Sequence, residues 1–141
     1  MTPPICFMLK GQIPSKKNSK RIVRFGNRSA LIGSQAYLDW KEAAWWDLKA
    51  QLATMPLRNL NWHPVQVAID FWVPNNRRRD LTNMGESLMD LLVDHDVLDD
   101  DNLREVARVI YTARGVDKAD PRAEITISRK CKCNELHRTG D

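Results

Sequence analysis

Val65, Val67, Ile69, Phe71 and Val73 alternate with Gln66, Ala68, Asp70 and Trp72 between Pro64 and Pro74. A period of two, with β-branched and aromatic residues in the apolar phase, marks a half-buried strand whose ends the prolines fix. Behind it stand Arg77, Arg78, Arg79 and Asp80, and then the period changes: Leu81, Met84, Leu88, Leu91 and Leu92 recur at helical spacing, with Thr82, Asn83, Glu86 and Asp90 on the opposite side. A chain that passes from one-faced strand to one-faced helix across a short cationic loop must bury both apolar faces in layers, helix against sheet.

The other segments fit that frame. Ile5, Phe7 and Leu9 alternate as a strand that enters the basic loop Pro14, Ser15, Lys16, Lys17, Asn18, Ser19. Ile22 to Phe25 and Ala30 to Ile32 flank the turn-forming pair Gly26 and Asn27, which predicts a hairpin. From Ser34 to about Ala53, the spacing of Leu38, Trp45, Leu48 and Leu52 predicts a helix with a buried stripe and assigns Trp40, Trp45 and Trp46 to packing. Leu103 to Thr112 and Ala123 to Ser128 read as two further strands, separated by a loop containing Gly115 and Pro121. With 141 residues there is room for one core. The expectation is an α/β chain of the α+β kind, a mixed sheet with two main helices, in one compact domain over residues 1–129 followed by a disordered tail over 130–141.

Charge narrows the classes of function. Lys and Arg number 22 against 18 Asp and Glu, with an isoelectric point near 9.1. Lys10, Lys16, Lys17, Lys20, Arg21, Arg24 and Arg28 precede an acidic stretch with Asp90, Asp94, Asp96, Asp99, Asp100 and Asp101. Such segregation favours a polyanionic partner. Met1 to Lys10 lacks the features of a secretory leader, and no apolar run reaches membrane-spanning length. Cys6, Cys131 and Cys133 are too few for a secreted disulfide scaffold, so a cytoplasmic protein without membrane association is expected. There is no phosphate-binding glycine loop, no zinc helix and no calcium loop, which leaves no nucleotide cofactor to expect. Cys131 and Cys133 with His137 fall short of the four ligands of structural zinc, and His63 and His95 read as loop and helix-end residues.

The chemistry concentrates around Asp80. Carboxylates beside an arginine run suit a divalent cation held against a phosphodiester, because the metal takes hard oxygen ligands and the phosphate requires positive charge. Plainer readings stand alongside. Asp80 can simply cap the helix, Asp99 to Asp101 can be a solvated acidic turn, and Asp90 reads as structural. Lys16, Lys17, Asn18, Lys20, Arg77, Arg78 and Arg79 can be ordinary surface polarity, yet two basic loops flanking the acids favour a phosphate track.

These residues resemble the RusA-type Holliday junction resolvases of bacteria and their prophages. The match centres on Arg78, Arg79, Asp80, Leu81, Thr82 and Asn83, then Asp90, then Val97, Leu98, Asp100 and Asp101. Ile13, Pro14, Ser15 and Asn18 after the first strand, and Ser34, Gln35, Ala36 and Tyr37 at the first helix, are similar too. The resemblance implies a Mg²⁺-dependent endonuclease, with Mn²⁺ as substitute, acting as a homodimer that nicks branched DNA symmetrically at a four-way junction. Of the family's three acidic positions, the first falls on Asp80 and the last on Asp101, but the middle one falls on Thr82. The family's helical lysine falls on Glu86. Positions four apart share a helix face, so Glu86 is the candidate to replace the missing acid, joining Asp80, Asp101 and Asp100 as catalytic and metal-holding residues, with Thr82 and Asn83 orienting the helix start. Without that lysine, developing charge would fall to Arg79, Lys16 or Lys17. The competing readings are a weakened or inactive enzyme, a non-catalytic dimer that grips branched DNA, and a single-strand binder, which would require aromatics in a basic groove.

Overall fold

The computed structural model describes residues 4–14, 20–26, 28–33, 35–55, 64–95, 97–98 and 105–129. In chain order they form β1 (Ile5–Lys10), β2 (Lys20–Phe25), β3 (Arg28–Gly33), α1 (Gln35–Leu52), β4 (Val65–Val73), α2 (Leu81–Asp94), β5 (Val106–Val116) and β6 (Arg122–Arg129). Residues 15–19, Asn27, His63, Asp99 to Asp101, Cys131, Cys133, His137 and the expected tail lie outside the described residues.

The alternation in β4 is realised as far as Phe71: Val65, Val67, Ile69 and Phe71 are all buried to 1% exposure or less, while the residues between them and Val73 at the strand's end are half-buried. The strand lies inside a four-stranded sheet of order β1-β6-β4-β5, antiparallel to β6 and parallel to β5. Strands β1 and β6 are antiparallel as well, so the sheet is mixed. Phe7, Leu9, Ala123, Ile125 and Ile127 join the β4 residues in a core with Ala44 and Leu48 of α1 and Met84, Leu88, Leu91 and Leu92 of α2. One face carries the core and the other faces solvent, which is why the strands alternate cleanly rather than reading as continuous apolar runs. Strands β2 and β3 pair as a separate antiparallel hairpin. The parallel pair β4 and β5 needs a crossover, and α2 supplies it. No helix among the described residues is long and apolar enough to cross a membrane.

Two expectations are corrected. The buried stripe of α1 runs through Tyr37, Ala44 and Leu48, with Trp40 and Leu52 partly packed, whereas Leu38 is 40% and Trp46 57% exposed. The helix is rotated from the expected stripe because small Ala44 allows close approach to the sheet, and an apolar count cannot register small residues. Trp46 is therefore a surface residue, stacked edge-on with Trp45 at 4.6 Å, with Lys49 Nζ 4.8 Å and 5.3 Å from the Trp45 and Trp46 ring centres. Strand β5 starts later than expected and runs through Gly115 instead of stopping before it. Arg114 is an extra residue against β4, and Gly115 takes φ +145°, which lets the strand absorb the bulge and continue.

Side chains secure the sheet at the β1 edge and at the β5–β6 turn. At β1, Gln51 of α1 accepts from the Met8 N–H at 3.0 Å and donates Nε2–H to the Met8 carbonyl at 2.6 Å, so a side chain takes the place of a neighbouring strand. Near the β5–β6 turn, Arg122 donates to Asp117 at 2.8 Å and to Glu124 at 3.2 Å, and its guanidinium lies 4.1 Å from the Trp72 ring centre. The hydrogen bond from Arg122 holds the Asp117 carboxyl below its ordinary range. A depressed folded-state value means that this contribution is present above the unfolded carboxyl value and is lost as pH falls through the folded one. Urea denaturation across the acid range should show a smaller fall in stability for Arg122→Met than for the unaltered chain; equal acid dependence would refute the assignment.

Candidate functional site

The loop after β4 is ordered by its own side chains. Asn75 Oδ1 accepts from the Arg77 backbone N–H at 3.1 Å and from Arg79 Nη2 at 2.7 Å, while Arg79 Nη1 donates to the carbonyls of Asn75 at 2.8 Å and Arg77 at 3.1 Å. The Arg79 guanidinium thus braces the loop that delivers Asp80. The Arg77 and Arg78 side chains are exposed and make no hydrogen bond or ion pair among the described residues, so their charge is available to a ligand. Asn75 was absent from the expected site residues; the signal was present in the Pro74, Asn75, Asn76 turn at the strand's end.

Asp80 is the N-cap of α2, with φ −96° and ψ 112°, and its Oδ1 accepts from the Asn83 N–H at 3.1 Å. The plain capping role is therefore real. It uses one oxygen, leaving Oδ2 without a hydrogen-bond partner among the described residues, on an exposed side chain at the positive end of the helix. Asn83 is 8% exposed and holds the cap in place. Thr82 and, one turn further, Glu86 lie on the exposed face of α2, and Glu86 makes no hydrogen bond or ion pair among the described residues. Asp90 is half-buried on the same side. At the far end of the helix His95 is the C-cap, its N–H on the Leu91 carbonyl at 3.1 Å, as a helix-end residue should be.

A second contact ties the chain after β1 to α2. Ser87, 1% exposed, donates its hydroxyl to the Pro14 carbonyl at 2.9 Å, with the Asn83 carbonyl at 3.2 Å. Pro14, the last described residue before Lys16, Lys17 and Asn18, is thereby held against the helix that Asp80 opens. Those three residues lie outside the described residues, and Lys20 opens β2. Asp100 and Asp101 lie outside them also. Among the described residues, no three His, Cys, Asp or Glu side chains converge at metal-binding distance. What the described residues supply is a carboxylate with one free oxygen at Asp80 and an uncommitted carboxylate at Glu86, both hard donors of the type Mg²⁺ and Mn²⁺ take.

The family profile described as Endodeoxyribonuclease RusA matches residues 12–128, most of the chain and all of the loops and helices just described. The chain belongs to the RusA endodeoxyribonuclease family. No curated protein matches it. RusA membership implies Holliday junction resolution, with branched DNA as the substrate class. The bond to Pro14 gives Ser87 a role that sequence reading missed, because a serine within an apolar helix face marks a buried polar contact but not its partner. In this RusA chain, Ser87→Ala should cost about 1 kcal/mol in urea denaturation by leaving the Pro14 carbonyl unpaired. Junction binding should weaken with it as the basic loop loses its tether; unchanged affinity would show that the loop is positioned otherwise.

Proposed function

We propose that the protein is a divalent-metal-dependent endonuclease that resolves four-way DNA junctions as a homodimer, by symmetric paired nicks. The observation that carries this reading is the free Oδ2 of Asp80, presented at a helix N-terminus beside two uncommitted arginines. Asp80 and Glu86, with Asp101 and Asp100, would hold Mg²⁺ or Mn²⁺. The bound ion would supply positive charge at the phosphodiester and acidify an attacking water.

The chain's own residues do the rest. Arg77 and Arg78 bind backbone phosphates on one side, and Lys16, Lys17, Asn18 and Lys20 on the other. Arg79 keeps the Asp80 loop in shape through Asn75, which leaves stabilisation of the developing charge to Lys16 or Lys17. Asn83 and the first turn of α2 fix the Asp80 carboxylate. Glu86, exposed on the face it shares with Thr82, takes over from the acid that the family carries at position 82. Two-fold symmetry in a dimer would pair two such sites for two symmetric cuts.

The test is an end-labelled four-way junction beside a matched linear duplex, with Mg²⁺ or with EDTA. Paired nicks on the junction alone, dependent on Mg²⁺, are expected. Glu86→Gln should reduce them and Glu86→Gln with Thr82→Asp should restore them. Tight junction binding without cutting in Mg²⁺ or Mn²⁺ would favour the non-catalytic branched-DNA-binding dimer, with the change at Thr82 left uncompensated.

A further inference from the structure

Next to Asp80, an open cleft of about 280 Å³ lies at the C-terminal ends of the parallel strands β4 and β5, which stay paired as far as Val73 and Val116. The ends of adjacent parallel strands are where α/β sheets commonly take ligands. Here the strand bulge at Arg114 and the glycine at 115, which contributes no Cβ to the lining, shape the opening. Its walls are apolar: Val73, Leu81, Ala113 and Val116, the last 50% exposed. Its rim is polar: Asn76 and Arg77 line it and neither side chain has a partner among the described residues, in contrast to Arg79, which its own loop engages.

That combination selects the class of occupant. A free phosphate would use Arg77 and leave the Val116 and Ala113 wall unmatched. An aliphatic side chain would use the wall and leave a carboxamide and a guanidinium unmatched at the rim. A nucleobase has two apolar faces and an edge of hydrogen-bond donors and acceptors, which Asn and Arg side chains pair with in two-point fashion. It also arrives joined to phosphates, and Arg77 and Arg78 stand uncommitted beside the opening. We propose that this cleft receives an unpaired nucleobase from the nucleotide adjoining the cut phosphodiester, with Asn76 and Arg77 reading its edge. The inference rests on the reading of the protein as a nuclease of branched DNA and adds to it a source of base preference. An unpaired base at the exchange point enters most readily, because it has no stack to leave.

The test uses the full chain and four-way junctions carrying 2-aminopurine at successive positions around the exchange point, bound in EDTA. Fluorescence should rise at one position as the base leaves its stack, and Val116→Phe, which fills the cleft from an exposed site, should abolish the rise. Asn76→Ala, also at an exposed site, should diminish it. An abasic residue at that position should weaken binding by about tenfold for the unaltered chain, the scale of one stacked base, and should not matter for Val116→Phe. A junction that is bound and cut in Mg²⁺ with no rise at any position overturns the inference and leaves the nuclease reading intact. So does a rise that persists in Val116→Phe. A rise lost in Val116→Phe with no cutting in Mg²⁺ supports the cleft and refutes the nuclease. Failure to bind the junction at all overturns both.

Discussion

Asp80→Asn will lower single-turnover junction cleavage by more than about 100-fold, exceeding the 10- to 100-fold typical of residues that merely support a metal ligand. The substitution isolates chemistry from folding unusually well. Asparagine is as good an N-cap as aspartate, so the bond from the Asn83 N–H is kept while the negative charge at the free oxygen is removed. Loss of the favourable interaction with the helix dipole should cost no more than about 1 kcal/mol. Thermal denaturation should therefore show a stable protein, and gel-shift binding to a four-way junction should persist. Cleavage at the unaltered rate would reduce Asp80 to a cap. A collapse in stability would show that its carboxylate matters chiefly to the fold.

The second large effect concerns the seat of α2. Gly85 is buried where α2 crosses β5, and a Cβ built there would overlap the Tyr111 ring. Tyr111 cannot withdraw freely, because its ring packs against Phe71 in an edge-on arrangement with centroids 6.4 Å apart. Gly85→Ala gains helix propensity of about 1 kcal/mol, against an overpacking cost of about 1–3 kcal/mol. The cost should win, and urea denaturation should register a net loss. Placed in a Tyr111→Ala background, the same change should reverse sign and stabilise by about 1 kcal/mol as propensity alone acts. Equal effects in both backgrounds would show that the ring does not set the helix position. Because Gly85 lies little more than a turn from Asp80, the strained variant should also lose cleavage, and the double variant should regain part of it.

Local periodicity and cap chemistry made much of this arrangement legible. The β4 alternation, the helical spacing after Asp80, and the Gly26 and Asn27 pair between β2 and β3 each encode an element through neighbours in sequence. So does Asp80 as an N-cap. What escaped depends on residues far apart in the chain or on shape. The Ser87 bond to Pro14 spans the whole of β2 to β4, and a lone serine does not name its acceptor. The phase of α1 was misread because Ala44 is small enough for contact and so carries the buried face, while Trp46, large and apolar, faces solvent. Gly115 looked like a strand breaker and is instead a bulge residue within β5. Arg79, one of three adjacent arginines, is distinguished from Arg77 and Arg78 by the Asn75 side chain and the loop carbonyls that engage its guanidinium.

A crystal soaked in Mn²⁺ and measured for anomalous scattering tests most directly whether a metal is held where α2 begins. The predicted result is density between the Asp80 carboxylate and Glu86, coordinated by oxygen alone and lost in Asp80→Asn. Density at Asp80 with Glu86 pointing away would leave position 82 uncompensated. Full Mn²⁺ occupancy elsewhere, with none at Asp80, would contradict the account.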